Sequence, residues 1–168
     1  IEDASNALSG LARMAIERVQ MQWRELDDHI DWCDQRIAAH LKQNEQVRQA
    51  THLMGVGPVT ASAVVATVGN FKQFKSGSQF GAWLGLTPRQ NSSGGKNNLG
   101  GITKHGEVYL RTLLIQGAKS AVMTAHRRDD PISKWVHQLR EKSGWQKAAV
   151  ALANKNARIL WAVFTKNV

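Results

Sequence analysis

The stretch Met54-Gly55-Val56-Gly57-Pro58-Val59-Thr60-Ala61 determines the fold that the sequence predicts. Glycine allows the backbone to turn tightly, and proline is well placed in the first turn of a helix. The small apolar residues that continue to Val68 suit close helix packing, and Gly69-Asn70 ends the pattern. The sequence therefore predicts two helices joined by a tight turn over about residues 52–69.

The start of the second helix in this turn is a candidate anion site. Free N–H groups at a helix N-terminus, together with the helix dipole, suit a phosphate group. The pattern resembles the helix-hairpin-helix motif, which contacts the DNA backbone without reading its sequence. We therefore nominate Gly55, Gly57 and Thr60 as DNA-binding residues. The alternative is a turn with a purely structural role.

The residues before this turn predict one long helix. Apolar residues recur about every 3.7 positions from Leu8 to Leu41, and charged residues flank them. This spacing indicates a nearly straight or slightly right-handed seam, typical of a coiled-coil arm or a helical hairpin. We predict that residues 1–50 form a coiled-coil linker through which the protein forms a homo-oligomer. The alternative is a helix that packs on its own domain.

Charge divides the chain at the same point. The 168 residues carry 22 Lys and Arg against 13 Asp and Glu, a net charge of +9. Residues 1–50 have a net charge of −3 and residues 51–168 have +12, with no carboxylate between Glu45 and Glu107. Such a surplus indicates a polyanionic partner, with nucleic acid favoured over a membrane surface. The alternative is a basic protein that its charge keeps soluble.

Composition also excludes several classes of site. Cys33 is the one cysteine, which excludes an internal disulfide and a multi-cysteine zinc site. The four acids after residue 50 do not make a two-metal cluster, so we expect no metal or cofactor in this chain. No apolar run has membrane-spanning length, and we expect a cytoplasmic protein, with which the single cysteine agrees. The six tryptophans are expected mostly to anchor the core.

The predicted fold class is all-α, because strand patterns are few. It consists of the long N-terminal helix and a compact helical domain, residues 51–168, that contains the hairpin and a Gly/Ser-rich loop. Helices are expected over 78–86, capped by Ser76 or Ser78, and from Thr103 to about 125. Two more are expected from Asp130-Pro131 to Glu141 and over 145–165.

The loop over about residues 87–105 contains Ser92-Ser93-Gly94-Gly95-Lys96. Its composition is typical of a flexible linker, but a long loop inside a domain is usually functional. It contains no acid, and a serine hydroxyl among cations can be presented to a phosphodiester whose transition-state charge the cations stabilise. From the residues alone, a loop that only binds phosphate is the favoured interpretation. The cationic candidates for phosphate contact are Arg89, Lys96, Lys104, His105 and Arg111.

Taken in order, four stretches resemble the C-terminal domain of the insertion-sequence 110/116/902 transposases, which are related to pilin-gene invertases. The resemblance covers about residues 50–125, and the preceding helix fits the coiled-coil linker of that family by position. The four stretches are Gly-Val-Gly-Pro-x-Thr-Ala at 55–61, Trp-Leu-Gly-Leu-Thr-Pro-Arg-Gln at 83–90, Ser-Ser-Gly-Gly-Lys at 92–96 and Ile-Thr-Lys-His-Gly-x-x-x-Leu-Arg-x-Leu-Leu at 102–114.

The resemblance implies a DNA recombinase whose serine attacks the DNA backbone and forms a phosphoserine link. The family's serine corresponds to Ser93, and the adjacent Ser92 is the less favoured candidate. The resemblance also implies a bacterial, nucleoid-associated protein, a structured guide RNA and an N-terminal RuvC-like domain that holds Mg²⁺. Because the sequence starts at Ile1 in polar helical sequence and lacks that domain, we expect a part of a longer protein that cleaves DNA poorly or not at all alone. The rivals are a non-catalytic helix-hairpin-helix DNA-binding module and a coiled-coil assembly element.

Overall fold

The computed structural model describes residues 7–91 and 98–166. Packing divides the chain into two compact units, Ile1–Ala39 and His40–Val168, and the boundary lies within the first helix, α1 (Gly10–Gln43). Charge and glycine content placed the division near residue 50. The packing boundary comes earlier because Val47 and Ala50 have no exposed surface and belong to the hydrophobic core of the second unit.

Helix α1 has 34 residues, and its part in the first unit is almost entirely solvent-exposed. The sequence predicted one helix up to residue 50, but the structure interrupts it at Asn44. The Asn44 side chain accepts a 3.2 Å hydrogen bond from the Val47 N–H and thereby caps a new short helix, α2 (Glu45–Ala50). Large apolar side chains of α1 that are exposed to solvent are Leu11, Met14, Ile16, Val19, Met21, Trp23, Leu26, Ile30 and Trp32.

Among the described residues of the second unit, the regular secondary structure is helical apart from one β-hairpin, so the all-α prediction is confirmed as the fold class. The strands β1 (Pro88–Gln90) and β2 (Leu99–Ile102) pair antiparallel. The sequence missed them because proline and glycine, which are poor strand residues, occupy both segments. The helices after α2 are α3 (Pro58–Val68), α4 (Gly77–Trp83), α5 (Val108–Thr124), α6 (Pro131–Ser143) and α7 (Trp145–Lys166), with short 3₁₀ turns at Phe71–Gln73 and Ala125–Arg127.

Two of the predicted helix caps are confirmed, and one is wrong. Ser76 accepts a hydrogen bond from the Gln79 N–H at the start of α4, and Asp130 caps α6 in the same manner. Thr103 does not start α5, because its N–H already bonds to the Thr87 carbonyl at 2.9 Å at the base of the hairpin. The cap of α5 is Glu107, which accepts a 2.9 Å hydrogen bond from the Tyr109 N–H.

The core of the second unit forms around α7, which packs against α4, α5 and α6. Of the six tryptophans, only three pack against this core, and Trp23, Trp32 and Trp145 are exposed. No helix within the described ranges is long and apolar enough to cross a membrane. The fully buried large side chains include Phe80, Leu84, Leu110, Leu114, Leu152 and Leu160.

Candidate nucleic-acid interface

The described part of the predicted loop is a β-hairpin. Pro88 lies opposite Ile102, Gln90 lies opposite Leu99, and the Asn91 N–H donates a 2.9 Å hydrogen bond to the Asn98 carbonyl. Residues 92–97 connect these last two paired asparagines. The candidates Ser92, Ser93 and Lys96 belong to this connection and lie outside the described residues.

The base of the hairpin is fixed by close backbone packing between residues 83–87 and 103–107. The Lys104 N–H donates to the Gly85 carbonyl at 3.1 Å, and the Glu107 N–H donates to the Trp83 carbonyl at 3.3 Å. Gly106 has a φ of +102°, and a Cβ there would lie 1.9 Å from the Trp83 carbonyl oxygen. Only glycine fits such a position. The second and fourth stretches of the resemblance, at 83–90 and 102–114, therefore lie side by side in the structure, with their backbones in contact.

Lys104 has an unusual backbone conformation at this base. Its φ is +59°, the one positive value among the described non-glycine residues. A left-handed conformation costs an ordinary L-residue about 1–2 kcal/mol, and strained residues of this kind cluster at ligand sites. The hydrogen bond from its N–H to Gly85 helps to hold this conformation.

An open groove of about 840 Å³ lies between the hairpin and α7, and we call it the hairpin groove. Arg89 and Lys104 line it from the hairpin, and Lys147 lines it from the first turn of α7. These are the three charged side chains among the described lining residues, and none of the others is a carboxylate. The hairpin groove is therefore a positively charged channel beside the described strands of the hairpin.

Sequence reasoning missed the contribution of α7 to this groove. Gln146, Lys147 and Asn154 line it together with the hairpin. The available signal was the presence of Lys147, Lys155 and Arg158 in one helix. A row of cations on a helix also describes a surface that faces only water, so this signal does not identify a site.

The other two cationic candidates occupy different positions. His105 is exposed beside the base of the hairpin but is not among the residues that line the groove. Arg111 is only 9% exposed, and its guanidinium donates a 3.0 Å hydrogen bond to the Leu84 carbonyl. The structure thus assigns Arg111 a packing role in the second unit.

The turn between α2 and α3 places its two glycines differently. Gly55 has a φ of +84°, and a Cβ there would lie 2.7 Å from the Gly117 carbonyl oxygen, so this glycine permits close packing on α5. Gly57 is the N-cap of α3 without a side-chain cap, and a Cβ there would meet no atom within 4 Å. The N-terminus of α3 is therefore open, while Asn156 anchors the turn by donating a 2.8 Å hydrogen bond to the Met54 carbonyl.

A second open groove, of about 760 Å³, lies between this turn and α5, and we call it the turn groove. Gly55, Gly57 and the largely buried Thr60 all line it, as do His52 and Arg128. No carboxylate occurs among its described lining residues. Five of the predicted DNA-binding residues thus lie in two grooves: Gly55, Gly57 and Thr60 in the turn groove, and Arg89 and Lys104 in the hairpin groove.

The described residues contain no candidate metal centre. Within residues 7–91 and 98–166, no group of three or more His, Cys, Asp or Glu side chains is placed to hold a metal ion. The Mg²⁺ that the resemblance implies is expected in the separate RuvC-like domain and not among these residues.

Comparison with known proteins identifies the family. The model of the transposase IS116/IS110/IS902 family matches residues 47–133, which contain the turn groove residues from Thr51 to Arg128 and the whole hairpin. The chain belongs to this transposase family. The match stops before α7, so Lys147 and the other α7 residues of the hairpin groove lie outside it.

Three curated relatives extend the similarity beyond the matched region. A protein named "Probable family 20 transposase", from Pseudomonas aeruginosa, is 45% identical over 150 residues, covering 85% of this chain and 44% of the relative. The transposase for insertion sequence element IS1111A of Coxiella burnetii is 44% identical over 140 residues, covering 83% of this chain and 38% of the relative. The transposase for insertion sequence element IS1328 of Yersinia enterocolitica is 34% identical over 151 residues, covering 90% of this chain and 45% of the relative. The chain thus spans about two fifths of the length of these relatives.

Proposed function

We propose that this chain is the DNA-binding, serine-bearing part of a transposase. In this proposal the hairpin groove binds the DNA backbone, and Ser93 is the nucleophile for strand cleavage and exchange. The observation that carries the proposal is the placement of Arg89, Lys104 and Lys147 in one groove without a described carboxylate. That groove borders the hairpin whose connection contains both serines.

The proposed reaction exchanges one phosphoester bond for another. The Ser93 Oγ forms a bond to phosphorus while the bond from phosphorus to a deoxyribose oxygen breaks. The serine loses its hydroxyl proton, the leaving oxygen gains one, and the product is a phosphoserine link. Attack on this link by a deoxyribose hydroxyl of another strand restores the serine. Cations that lie beside the phosphate stabilise the charge that develops in both steps.

The resemblance supplies the assignment to Ser93, with Ser92 as the alternative. It also supplies a structured guide RNA as a partner and Mg²⁺ in a separate RuvC-like domain. The relatives are more than twice as long as the parts that align with this chain. We therefore expect the isolated 168-residue chain to bind DNA or RNA weakly and to show little or no cleavage.

The test replaces each serine singly in the full-length transposase. Ser93→Ala is expected to abolish strand transfer and the covalent protein–DNA adduct on a denaturing gel, while DNA affinity stays within about twofold. Ser92→Ala is the matched control and is expected to retain both activities. Retained strand transfer in Ser93→Ala, or its loss in Ser92→Ala alone, would overturn the assignment.

A second candidate function, a non-catalytic DNA-binding module of helix-hairpin-helix type, is favoured by the open N-terminus of α3 at Gly57. Gly57→Asp and Gly57→Asn form a matched pair, because both side chains cap helices well and only Asp adds a negative charge. We expect Gly57→Asp to weaken binding of any DNA duplex and Gly57→Asn to retain it, measured by fluorescence anisotropy. Equal affinities for the two variants would exclude a phosphate at this N-terminus. The module is preferred over the enzyme if this pair behaves as expected and Ser93→Ala still transfers strands.

We also infer that α1 joins copies of the chain into a homo-oligomer, because its apolar side chains are exposed. Leu26 and Ile30 are 60% and 56% exposed and share the predicted seam. In analytical ultracentrifugation, Ile30→Glu is expected to shift the protein toward the monomer. Gln35→Glu, at a position off the seam, is expected to leave the oligomeric state unchanged. A wild-type protein that sediments as a monomer would contradict the inference.

A further inference from the structure

An exposed tryptophan at the start of α7 belongs to neither groove described so far. Trp145 is 41% exposed, and the side chain of Met123 on α5 is 55% exposed. The Lys119 Nζ lies 5.7 Å from the centroid of a Trp145 ring. A cation at this distance is attracted to the electron-rich face of an indole. The surface therefore combines an accessible aromatic ring with a positive charge.

These side chains line a third open groove, of about 770 Å³, which we call the tryptophan groove. Its charged residues are Lys119, Arg140 and the acidic Glu141, so cations exceed acids by one. The groove borders the turn groove along α5, because Gln116 and Ser120 line both. The complete described lining is Gln116, Lys119, Ser120, Met123, Arg140, Glu141 and Trp145.

We propose that the tryptophan groove binds an unpaired base of single-stranded DNA. The base stacks on the Trp145 indole on the side that Lys119 does not cover, and Met123 adds apolar contact. Lys119 and Arg140 neutralise the phosphates on either side of the base. This division of roles is how single-strand binding proteins work, since every base has a face for stacking and every nucleotide carries a charge.

The single-stranded form follows from stacking, because the base pairs of an intact duplex cover one another's faces. The choice of DNA rests on the proposed function. Strand exchange requires bases to leave one partner strand before they pair with another, and an aromatic site beside the DNA-binding grooves can hold a base in that interval. The tryptophan groove is therefore assigned to strand separation and not to the chemistry at Ser93.

The test measures fluorescence anisotropy with a labelled single-stranded DNA of about 12 nucleotides, its duplex, and an RNA of the same sequence. Trp145→Leu is expected to weaken binding of the single-stranded DNA by roughly fivefold to a hundredfold, the range measured for one stacked base. Binding of the duplex should change less than about twofold. Trp145→Phe keeps an aromatic face and should restore most of the affinity. Lys119→Gln should lower the slope of log affinity against log salt by about 0.7 on the single strand.

The matched control is Trp32→Leu in the first unit. Trp32 is 59% exposed and also has a cation near its ring, the Arg36 guanidinium at 5.3 Å. It lies off the predicted seam that contains Leu26 and Ile30, and it lines none of the three grooves. This variant should bind single-stranded DNA as the wild type does. All variants are compared below their thermal unfolding transitions, which circular dichroism locates.

Several results would overturn the assignment. One is an equal loss of affinity for duplex and single-stranded DNA in Trp145→Leu. Another is a Trp145→Phe variant that binds single-stranded DNA as weakly as Trp145→Leu does. A third is a loss of affinity in Trp145→Leu that is confined to RNA. Its failure is distinguishable from failure of the proposed function. If the wild type binds duplex DNA through Arg89 and Lys147 but Trp145→Leu binds single-stranded DNA normally, this inference alone is wrong. If the wild type binds no DNA, both are wrong.

Discussion

Arg111 on α5 donates a 3.0 Å hydrogen bond from Nη1 to the backbone carbonyl of Leu84, the residue that ends α4. Leu84 is fully buried, and a Cβ on the adjacent Gly85 would lie 3.0 Å from the same guanidinium nitrogen. This bond links α5 to the turn after α4, which leads into Leu86 and Pro88 in the lining of the hairpin groove. A side chain that the sequence nominated for phosphate contact thus stabilises the base on which the groove is built.

Arg111→Met is expected to lower the free energy of unfolding by about 1.5–3 kcal/mol, because it removes a charge-assisted hydrogen bond and leaves a buried carbonyl without its donor. Urea denaturation measures this loss. Arg89→Met, at an exposed groove position, should change stability by less than about 0.5 kcal/mol but should weaken DNA binding more than Arg111→Met does. If Arg111→Met instead keeps its stability and weakens DNA binding more than Arg89→Met does, Arg111 acts mainly on DNA.

The starts of α4 and α6 were predictable because their signals are local. Asp130 followed by Pro131 predicts the start of α6 from two adjacent residues, and Ser76 predicts the start of α4 from one side chain and a nearby N–H. The end of each of these helices likewise depends on near neighbours, such as Gly144 after α6. Such features are properties of a few consecutive residues, so sequence patterns record them.

The hairpin and the contents of its groove were not predictable in the same way. The pairing of β1 with β2 depends on backbone contacts such as that of Lys104 with Gly85, about twenty residues apart. The inward direction of Arg111 depends on a carbonyl 27 positions earlier in the chain. Lys147 enters the site only because α7 packs beside the hairpin. Each of these facts needs the tertiary structure.

The two glycines of the α2–α3 turn should lose unequal amounts of stability when each is changed to alanine. Gly55→Ala is expected to cost about 2–4 kcal/mol of unfolding free energy, because it combines a left-handed backbone with a contact to the Gly117 carbonyl. Gly57→Ala should cost less than about 1 kcal/mol, because its φ is −93° and its surroundings are open. Thermal unfolding of both variants measures the difference. Equal losses would mean that the turn does not pack on α5 at Gly55.

The hairpin groove should contribute a countable number of phosphate contacts. Lys147→Gln and Lys104→Asn each remove one cation, and asparagine tolerates the positive φ of position 104. Each variant should lower the slope of log affinity against log salt by about 0.9, whatever the DNA sequence. Lys72→Gln is the control, because Lys72 is exposed and does not line the hairpin groove. An unchanged slope for both groove variants would exclude the hairpin groove as the DNA-binding channel.

The cap of α6 should make part of the stability of the second unit depend on acid. The Ser133 hydroxyl donates a 2.6 Å hydrogen bond to the Asp130 carboxylate, and this bond lowers the pKa of Asp130, with further lowering by the Ser133 and Ile132 N–H groups. A carboxyl group whose pKa is lowered by folding stabilises the protein fully above its unfolded pKa, near 4, and loses this contribution as pH falls through the lower folded value. Asp130→Asn keeps a capping side chain but removes the titrating group, so its unfolding free energy should fall less between pH 7 and pH 3 than that of the wild type.

Two further variants separate this effect from general acid sensitivity. Ser133→Ala should raise the pKa of Asp130 toward its ordinary value, which an NMR titration of the carboxyl carbon measures directly. Asp129→Asn is the matched control, because the Asp129 side chain is 96% exposed and does not cap the helix. The unfolding free energy of Asp129→Asn should therefore fall between pH 7 and pH 3 by as much as that of the wild type. If Asp130→Asn loses as much stability in acid as Asp129→Asn does, the cap of α6 is not the source of the acid dependence.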